Sequence, residues 1–318
     1  MRTEFDFINN LKKKYTLNHI GDDCAVLPKD SETDLVITTD LIVEDIDFRL
    51  DWTTPELVGA KTLAVSLSDI AAMGAEPKWA LLSIGIPANI WDSDFVDRFY
   101  DGWFTLARHY EVELVGGDIS RTPEKIVFDS IVAGEVIKGK AILRSGAMPG
   151  DSIYVTGALG GAFGGLMLLE SGFRYSNSSK RHQEIIAKQL RPVPQLASGK
   201  YLSEHGIATA MIDLSDGLSS DLRHLCQASG VGARIYAKDI PILPALSEVT
   251  VAKDQMMALG INGGEDFELL FTSKEKNLSS LNLPDAQRIG EITENVGRIE
   301  VITGNEITCL QPGGYRHF

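Results

Sequence analysis

Apolar residues recur at helical intervals near residues 4–13, and the pattern then changes to β-branched runs in "CAVL" and "DLVITTDLIV", which predict strands. Helical spacing returns in "TPELVGAKTLAVSLSDIAAMGA", where Thr54 is placed to cap the helix and Pro55 takes its first position. A strand at "WALLSIGIP", a helix over roughly 92–110 and a strand pair, "EVELVGGD" and "KIVFDSIVAGEVI", complete a mixed α/β half.

The segment "SGAMPGDSIYVTG" gathers Gly, Pro and Asp, which interrupt any regular element, and places a boundary near 145–150. Two mixed α/β domains are therefore expected, 1–146 and 147–318. The second opens with the strand "SIYVTG" and the helical "LGGAFGGLMLLES". A polar, mobile segment is expected around "RYSNSSKRH", then the Pro-punctuated "RPVPQL", a strand-turn-helix at "ATAMIDLSDGLSSDLRHL" and a loop-strand at "NGGEDFELLF". Short repeats and low-complexity tracts are absent from the sequence.

Composition narrows the function classes. The chain has 318 residues, 44% of them hydrophobic, enough to bury a substantial core. Its formal net charge of -14, with no Lys/Arg cluster, argues against nucleic acid as a partner, and anionic ligands would need metal ions to bind. The amino terminus carries charges where a signal peptide needs an apolar run, and nowhere do enough apolar residues follow one another to span a bilayer. A cytoplasmic protein without a membrane partner is expected. Cys24, Cys226 and Cys309 lie far apart with no CxxC spacing, so reduced, packed thiols are expected rather than disulfides.

The chemistry is carried by acids. "GDD" (21–23), "TTD" (38–40), "SLSD" (66–69), "GGD" (116–118), "DLSD" (213–216) and "GGED" (263–266) each set a carboxylate beside Gly, Ser or Thr, mostly at the edge of an apolar strand or helix. Taken singly, each is ordinary turn or cap chemistry. Together they point to a hard cation such as Mg²⁺, which takes oxygen ligands and bridges carboxylates to phosphates. Thr38 and Thr39 beside Asp40 add hydroxyl and carbonyl oxygens, and Ser215 beside Asp216 sits where a helix begins, a suitable place for an anion.

Rival motifs fit less well. "GEVIKGKA" (134–141) lacks the P-loop hydroxyl because Ala141 stands in its place, and Val136 and Ile137 suit a strand. "TGALGGAFGG" (156–165) misses the GxGxxG spacing and reads as close helix packing. The six histidines show no HExxH or HxxxH spacing that would support a zinc hydrolase.

In order, "IGDDCAVL", "VITTDLIVEDIDF", "GAKTLAVSLSDIAAMGAEP", "LVGGDISR", "ILRSGAMPGDSIYVTG", "RPVP", "AMIDLSDGLSSDL", "NGGEDFELLF" and the terminal "GGYRHF" resemble the thiamine-monophosphate kinase family. That family lies in a superfamily with aminoimidazole ribonucleotide synthetase and selenophosphate synthetase, and the resemblance covers nearly the whole chain. It implies two α/β domains of the aminoimidazole ribonucleotide synthetase-like type, the N-terminal one pairing with its twin in a homodimer whose sheets form a barrel. It also implies ATP-dependent phosphorylation of thiamine monophosphate to thiamine diphosphate, by in-line transfer assisted by several Mg²⁺ ions.

Residue by residue, the resemblance implies metal ligands at Asp23, Thr38, Thr39, Asp40, Asp69, Asp118, Asp213 and Asp216, the last two forming the catalytic pair. It implies ATP contacts at Gly117, Asp118, Arg144 and Ser215, and substrate contacts at Asp47, Glu265 and Tyr315. One departure stands out. Where the family commonly has a substrate-contacting histidine in a "VEGVHF"-like stretch, this chain reads "VEDIDF" with Asp47, which can face the cationic thiazolium ring but would repel the substrate phosphate. A superfamily relative with another substrate, or a non-catalytic dimer sensing nucleotide or metal, remain alternative readings at this point.

Overall fold

Two open sheets, one from each half of the chain, pack around a shared helix. The computed structural model describes residues 4–250, 252–278, 283, 285–311 and 313–315. Arg316, His317 and Phe318 of the terminal "GGYRHF" lie outside the described residues.

The first half runs α1 (Glu4–Tyr15), β1 (Ala25–Pro28), β2 (Thr33–Val43), α2 (Pro55–Ala72), β3 (Glu76–Ile86), α3 (Ala88–Trp91), α4 (Phe95–His109), β4 (Glu113–Arg121) and β5 (Val127–Ile137). Thr54 caps α2 as expected, its hydroxyl accepting the Leu57 N–H at 3.4 Å. The sheet order is β1-β2-β5-β3-β4, with only β3 and β4 parallel. The expected pair of β4 with β5 is corrected: β3 lies between them, and β4 is an exposed edge. Within one chain this sheet is open, with β1 and β4 as its edges.

The second half comprises β6 (Ser152–Val155), α5 (Gly161–Glu170), α6 (Lys180–Leu190), α7 (Leu196–Glu204), β7 (Ala210–Asp213), α8 (Leu218–Ser229), β8 (Gly232–Tyr236), α9 (Lys253–Asn262), β9 (Leu269–Ser273), β10 (Gln287–Thr293), β11 (Ile299–Thr303) and β12 (Glu306–Cys309). Its seven strands are ordered β12-β11-β8-β10-β6-β9-β7. The segment expected to be polar and mobile is structured instead. A 3-10 turn at Tyr175–Asn177 leads to Ser179, whose hydroxyl accepts the His182 N–H and caps α6. Ile185, Ile186 and Leu190, buried on one face of that helix, provide the driving force.

The glycines of "TGALGGAFGG" do serve packing: a side chain at Gly165 would collide with the Ile185 carbonyl of α6. Cys24 and Cys226 are buried, but Cys309 is exposed on β12, which corrects the expectation that all three thiols are packed. Helix α2 is almost wholly buried and lies between the sheets. Its core, which includes Leu63, Leu67 and Ile70, is continuous with Tyr154, Met211, Leu269 and Phe271 of the second half. Whatever α2 carries is therefore presented where the halves meet. Among the described residues no helix is long and apolar enough to cross a membrane.

Candidate active site

Four of the expected acids meet along α2. Asp23 precedes β1, Asp40 lies on β2, Asp69 on α2, and Asp213 ends β7. Carboxylate oxygens of Asp23, Asp69 and Asp213 all lie within 4.8 Å of one another. Strand alternation brings Asp40 to the same side: Val36, Thr38, Asp40 and Ile42 share the β2 face turned toward α2, and Thr38 donates its hydroxyl to Asp69. Ser68, one residue before Asp69, donates from Oγ to Asp213 Oδ2 at 2.6 Å and ties α2 to β7.

Burial raises the pKa of every member. Asp213 is pushed up to about 7 and Asp40 to about 6, with neighbouring carboxylates adding to the shift. Asp23 and Asp69 move in the same direction for the same first reason. Oδ2 of Asp23 and Oδ2 of Asp40 are buried with no hydrogen-bond partner. Crowded, desolvated carboxylates with orphaned oxygens are a donor set suited to a hard divalent cation.

Arg144 joins this group. Its Nη2 and Nε donate to Asp23 Oδ1 at 2.5 and 3.1 Å, and its backbone N–H donates to Asp22 Oδ1 at 2.9 Å. Burial works against the guanidinium's charge, but the Asp23 carboxylate more than offsets it and raises its pKa.

A second group lies in the loops beyond β7. Glu265 N–H donates to the Ser215 carbonyl at 2.8 Å, Phe267 N–H to Leu214 at 2.9 Å and Tyr315 N–H to Asp216 at 3.1 Å. "DLSD", "GGED" and the terminal tyrosine thus form one construction. Glu265 and Phe267 adopt φ of 64° and 50°, a left-handed backbone that non-glycine residues avoid and that the interlocked loops enforce. Burial raises the Tyr315 pKa, and the charges of Asp47, Glu265 and Asp216 add to the shift. The other acid of "GGED", Asp266, caps α5 by accepting the Gly160 and Ala162 N–H groups at 2.6 and 3.0 Å.

Two further acids, Glu265 and Asp47, are held from α2. Lys61 is only 5% exposed; its Nζ lies 2.8 Å from Glu265 Oε1 and donates to the Asp47 carbonyl at 3.2 Å. Gln189 on α6 donates through Nε2 to the other Glu265 oxygen. Asp47 Oδ2 accepts the Val43 N–H at 2.7 Å, so this carboxylate closes the turn after β2.

Other expected residues fall elsewhere. Thr39 alternates to the opposite sheet face, where its hydroxyl donates to Asp129 Oδ1 at 2.7 Å. Asp129 is in register with Ser83, and Ser83 with Asp118, so Asp118 shares that outer face and lies outside the three-carboxylate group. Gly117 is on the same exposed edge strand. Sequence reasoning missed Ser68, Lys61, Gln189 and Asp129. Only Lys61 carried a local signal, being the one lysine in an otherwise apolar and small-residue helix interior.

The chain matches the models of the AIR synthase related protein N-terminal domain over residues 21–136 and C-terminal domain over 148–302. It is 38% identical to a thiamine-monophosphate kinase of Salmonella typhimurium over 305 residues, covering 94% of this chain and 91% of that one. With the thiamine-monophosphate kinase of Bacillus subtilis it shares 35% identity over 329 residues, covering 99% of both. A solved structure of AaThiL complexed with AMPPCP and TMP superposes with a TM-score of 0.87 at 34% identity, covering 99% of this chain and 97% of that one. Two matching domains in order and near-complete overlap at this identity have one consequence: the chain belongs to the thiamine-monophosphate kinase family.

Proposed function

We propose that this chain transfers the γ-phosphoryl group of ATP to the phosphate of thiamine monophosphate, giving ADP and thiamine diphosphate, in the cytoplasm. The observation that carries the reading is the set of close carboxylates of Asp23, Asp69 and Asp213, presented at the junction of the two halves in a chain of this family. A relative of the same fold holds AMPPCP and TMP together, which supports nucleotide and thiamine phosphate as the pair of substrates here.

The acceptor is a phosphate oxygen already largely ionised near neutral pH, so the residues need not supply a strong general base. Their task is to bring two polyanions into line and keep them there. Asp23, Asp40, Asp69, Asp213 and Asp216, with oxygens from Thr38, would hold Mg²⁺ ions, which would supply the charge neutralisation the reaction needs. Arg144 exchanges Asp23 for nucleotide phosphate oxygens, which its planar fork can grip in pairs. Ser215, at the turn before α8, receives the nucleotide, while Glu265, Tyr315 and Asp47 line the substrate side. Asp118, Gly117 and Thr39 serve a separate part of the nucleotide and its metal from the outer sheet face.

Residues 1–146 form the nucleotide, metal and dimerisation domain in this reading, and 147–318 complete the site. The exposed edge strand β4, with Val115 and Ile119 about half exposed and Leu81 beside it, suits pairing with a second copy. Two open five-stranded sheets meeting there could close into the dimeric barrel of the family. The direct test is thiamine diphosphate formation from thiamine monophosphate, ATP and Mg²⁺, followed by chromatography. No product at saturating substrates would overturn the reading.

A further inference from the structure

The carboxy-terminal segment reaches the site along one face of α8. The Leu310 N–H donates to the Ile299 carbonyl of β11 at 2.8 Å, and the Leu310 carbonyl accepts from Arg223 Nη2 at 2.8 Å. Ser219, one turn earlier on α8 and therefore on the same face as Arg223, accepts the Gly313 N–H at 3.1 Å. Just before the helix, the Asp216 carbonyl accepts the Tyr315 N–H at 3.1 Å. Leu310, Gly313 and Tyr315 thus lie against Arg223, Ser219 and Asp216 in turn. The segment runs antiparallel to α8 as a strap that ends beside the "DLSD" turn.

Ser219 is the clasp of this strap. It is fully buried, and its one hydroxyl is used twice, donating to Asn262 Oδ1 at 2.8 Å while accepting from Gly313. Asn262 is the last residue of α9 and leads directly into "GGED", so the hydroxyl joins α8, α9 and the strap at one point. The two glycines before Tyr315 are required by proximity. A Cβ at Gly313 would stand 2.5 Å from Asn262 Oδ1, and one at Gly314 would stand 2.4 Å from the Asp216 carbonyl oxygen and 2.5 Å from Ser220 Oγ. Neither glycine has a positive φ, so close approach and not backbone freedom is the reason for them. Asp23, Asp69 and Asp213 are held by other groups, namely Arg144, Thr38 and Ser68.

We infer that Ser219, with Asn262, is a positioning residue for Tyr315, fastening the carboxy-terminal strap so that the tyrosine and the "GGED" loop keep one fixed relation. This rests on the proposed kinase activity, in which Tyr315 and Glu265 line the thiamine phosphate side, and adds the device that holds the two together. A terminal segment outside a sheet is poorly ordered unless something ties it down. A loose Tyr315 would have to be ordered each time substrate binds, and that cost would appear as weaker binding. The clasp makes the ordering part of folding instead. Because one hydroxyl serves both α9 and the strap, Glu265 and Tyr315 cannot drift apart without breaking it.

The test joins hydrogen exchange to kinetics. In the wild type, mass spectrometry of the carboxy-terminal peptide should show the Gly313 and Tyr315 amides exchanging at least about tenfold more slowly than in an unstructured peptide. Ser219→Ala and Asn262→Ala should each speed that exchange by about fivefold, the factor expected for loss of one hydrogen bond. Asn262→Asp, which keeps an oxygen for the Ser219 hydroxyl, should leave it slow. Both alanine variants should raise KM for thiamine monophosphate by about fivefold, with kcat and KM for ATP unchanged. That loss should vanish in a Tyr315→Ala background, since the clasp has nothing to position once the phenol is gone, whereas a general structural defect would persist there. Wild-type amides that exchange as fast as free peptide would overturn the strap even if no variant folds. Losses in Ser219→Ala that add in full to those of Tyr315→Ala would overturn the positioning role. Thiamine diphosphate production by the wild type separates these outcomes from failure of the kinase reading itself.

Discussion

Arg144 grips a single oxygen of Asp23 through two donors, Nη2 at 2.5 Å and Nε at 3.1 Å, across 121 residues of sequence. The Asp23 side chain is only 1% exposed, so its charge depends on this partner. Removing one member of such a buried pair costs about 3 kcal/mol, because the other is left uncompensated. Arg144→Met should therefore destabilise the metal-free protein by about that amount in urea unfolding. Asp23→Asn should recover much of the loss in the double variant, a coupling that a double-mutant cycle measures directly. The same Arg144→Met change should raise KM for ATP, while additive stability effects would show that the contact carries no weight.

Asp213 is 2% exposed, faces like charges and has its carboxyl pushed up to about 7. Asp213→Asn removes a buried charge while keeping an oxygen for the Ser68 hydroxyl. The metal-free variant should melt higher than the wild type at pH 8, yet turn over about 100- to 1,000-fold more slowly. Mg²⁺ with an ATP analogue should raise the wild-type melting temperature through linkage and raise the variant's far less. Parallel shifts in both proteins would remove Asp213 from the cation site.

The acids of the site were legible because strand and helix ends announce themselves locally. Asp69 and Asp213 sit at the ends of apolar runs, and the fold brings them together with Asp23. Thr39 was readable in principle: in "TTD" the period of two puts Thr38 and Asp40 on one face and Thr39 on the other. The lone lysine of α2 marked Lys61 as unusual, but its partner was not readable, and Gln189 carried no signal at all, since the Glu265 they hold lies in the other half or beyond a further sheet strand. The α6 helix was hidden by its polar start, "KRHQE", although Ile185, Ile186 and Leu190 carry its buried face. Short strands β10, β11 and β12 gave too few residues for periodicity to speak.

Glu268 offers a pH measurement away from the acid group of Asp23, Asp69 and Asp213. Burial pushes its carboxyl up to about 7, while Thr156 Oγ1 donates to it at 2.8 Å and Lys188 Nζ lies 3.9 Å away. A carboxyl whose folded pKa is raised contributes stability below its unfolded value near 4.5 and loses that contribution as pH rises through about 7. Glu268→Gln mimics the protonated form and should be insensitive in this window. The variant should match the wild type near pH 4.5 and exceed it by up to about 3 kcal/mol at pH 8 in denaturant titrations. A stability difference that is flat with pH would show that Glu268 titrates at its ordinary value.

The edge strand β4 carries the last prediction. Val115 and Ile119 are 52% and 55% exposed on a nine-residue strand whose outer edge has no hydrogen-bonded neighbour in the chain's own sheet. A long edge with exposed apolar side chains invites pairing with another strand unless charge or a covering element blocks it. Its ends carry Glu113 and Arg121, while its centre, from Val115 to Ile119, contains Asp118 as its one charge. Pairing of two copies would bury the apolar centre and satisfy the free N–H and C=O groups. Ile119→Lys should then shift the protein from dimer to monomer in light scattering at micromolar concentration, because an ammonium would have to be buried in the new interface. Buried residues such as Trp103 and Phe128 are untouched by this change, so the circular dichroism of the monomer should remain native. Activity should fall with the dimer, since Gly117 and Asp118 stand on the strand that pairing would order. A wild type that is monomeric at high concentration, or an Ile119→Lys variant that stays dimeric, would assign the exposed edge no part in assembly.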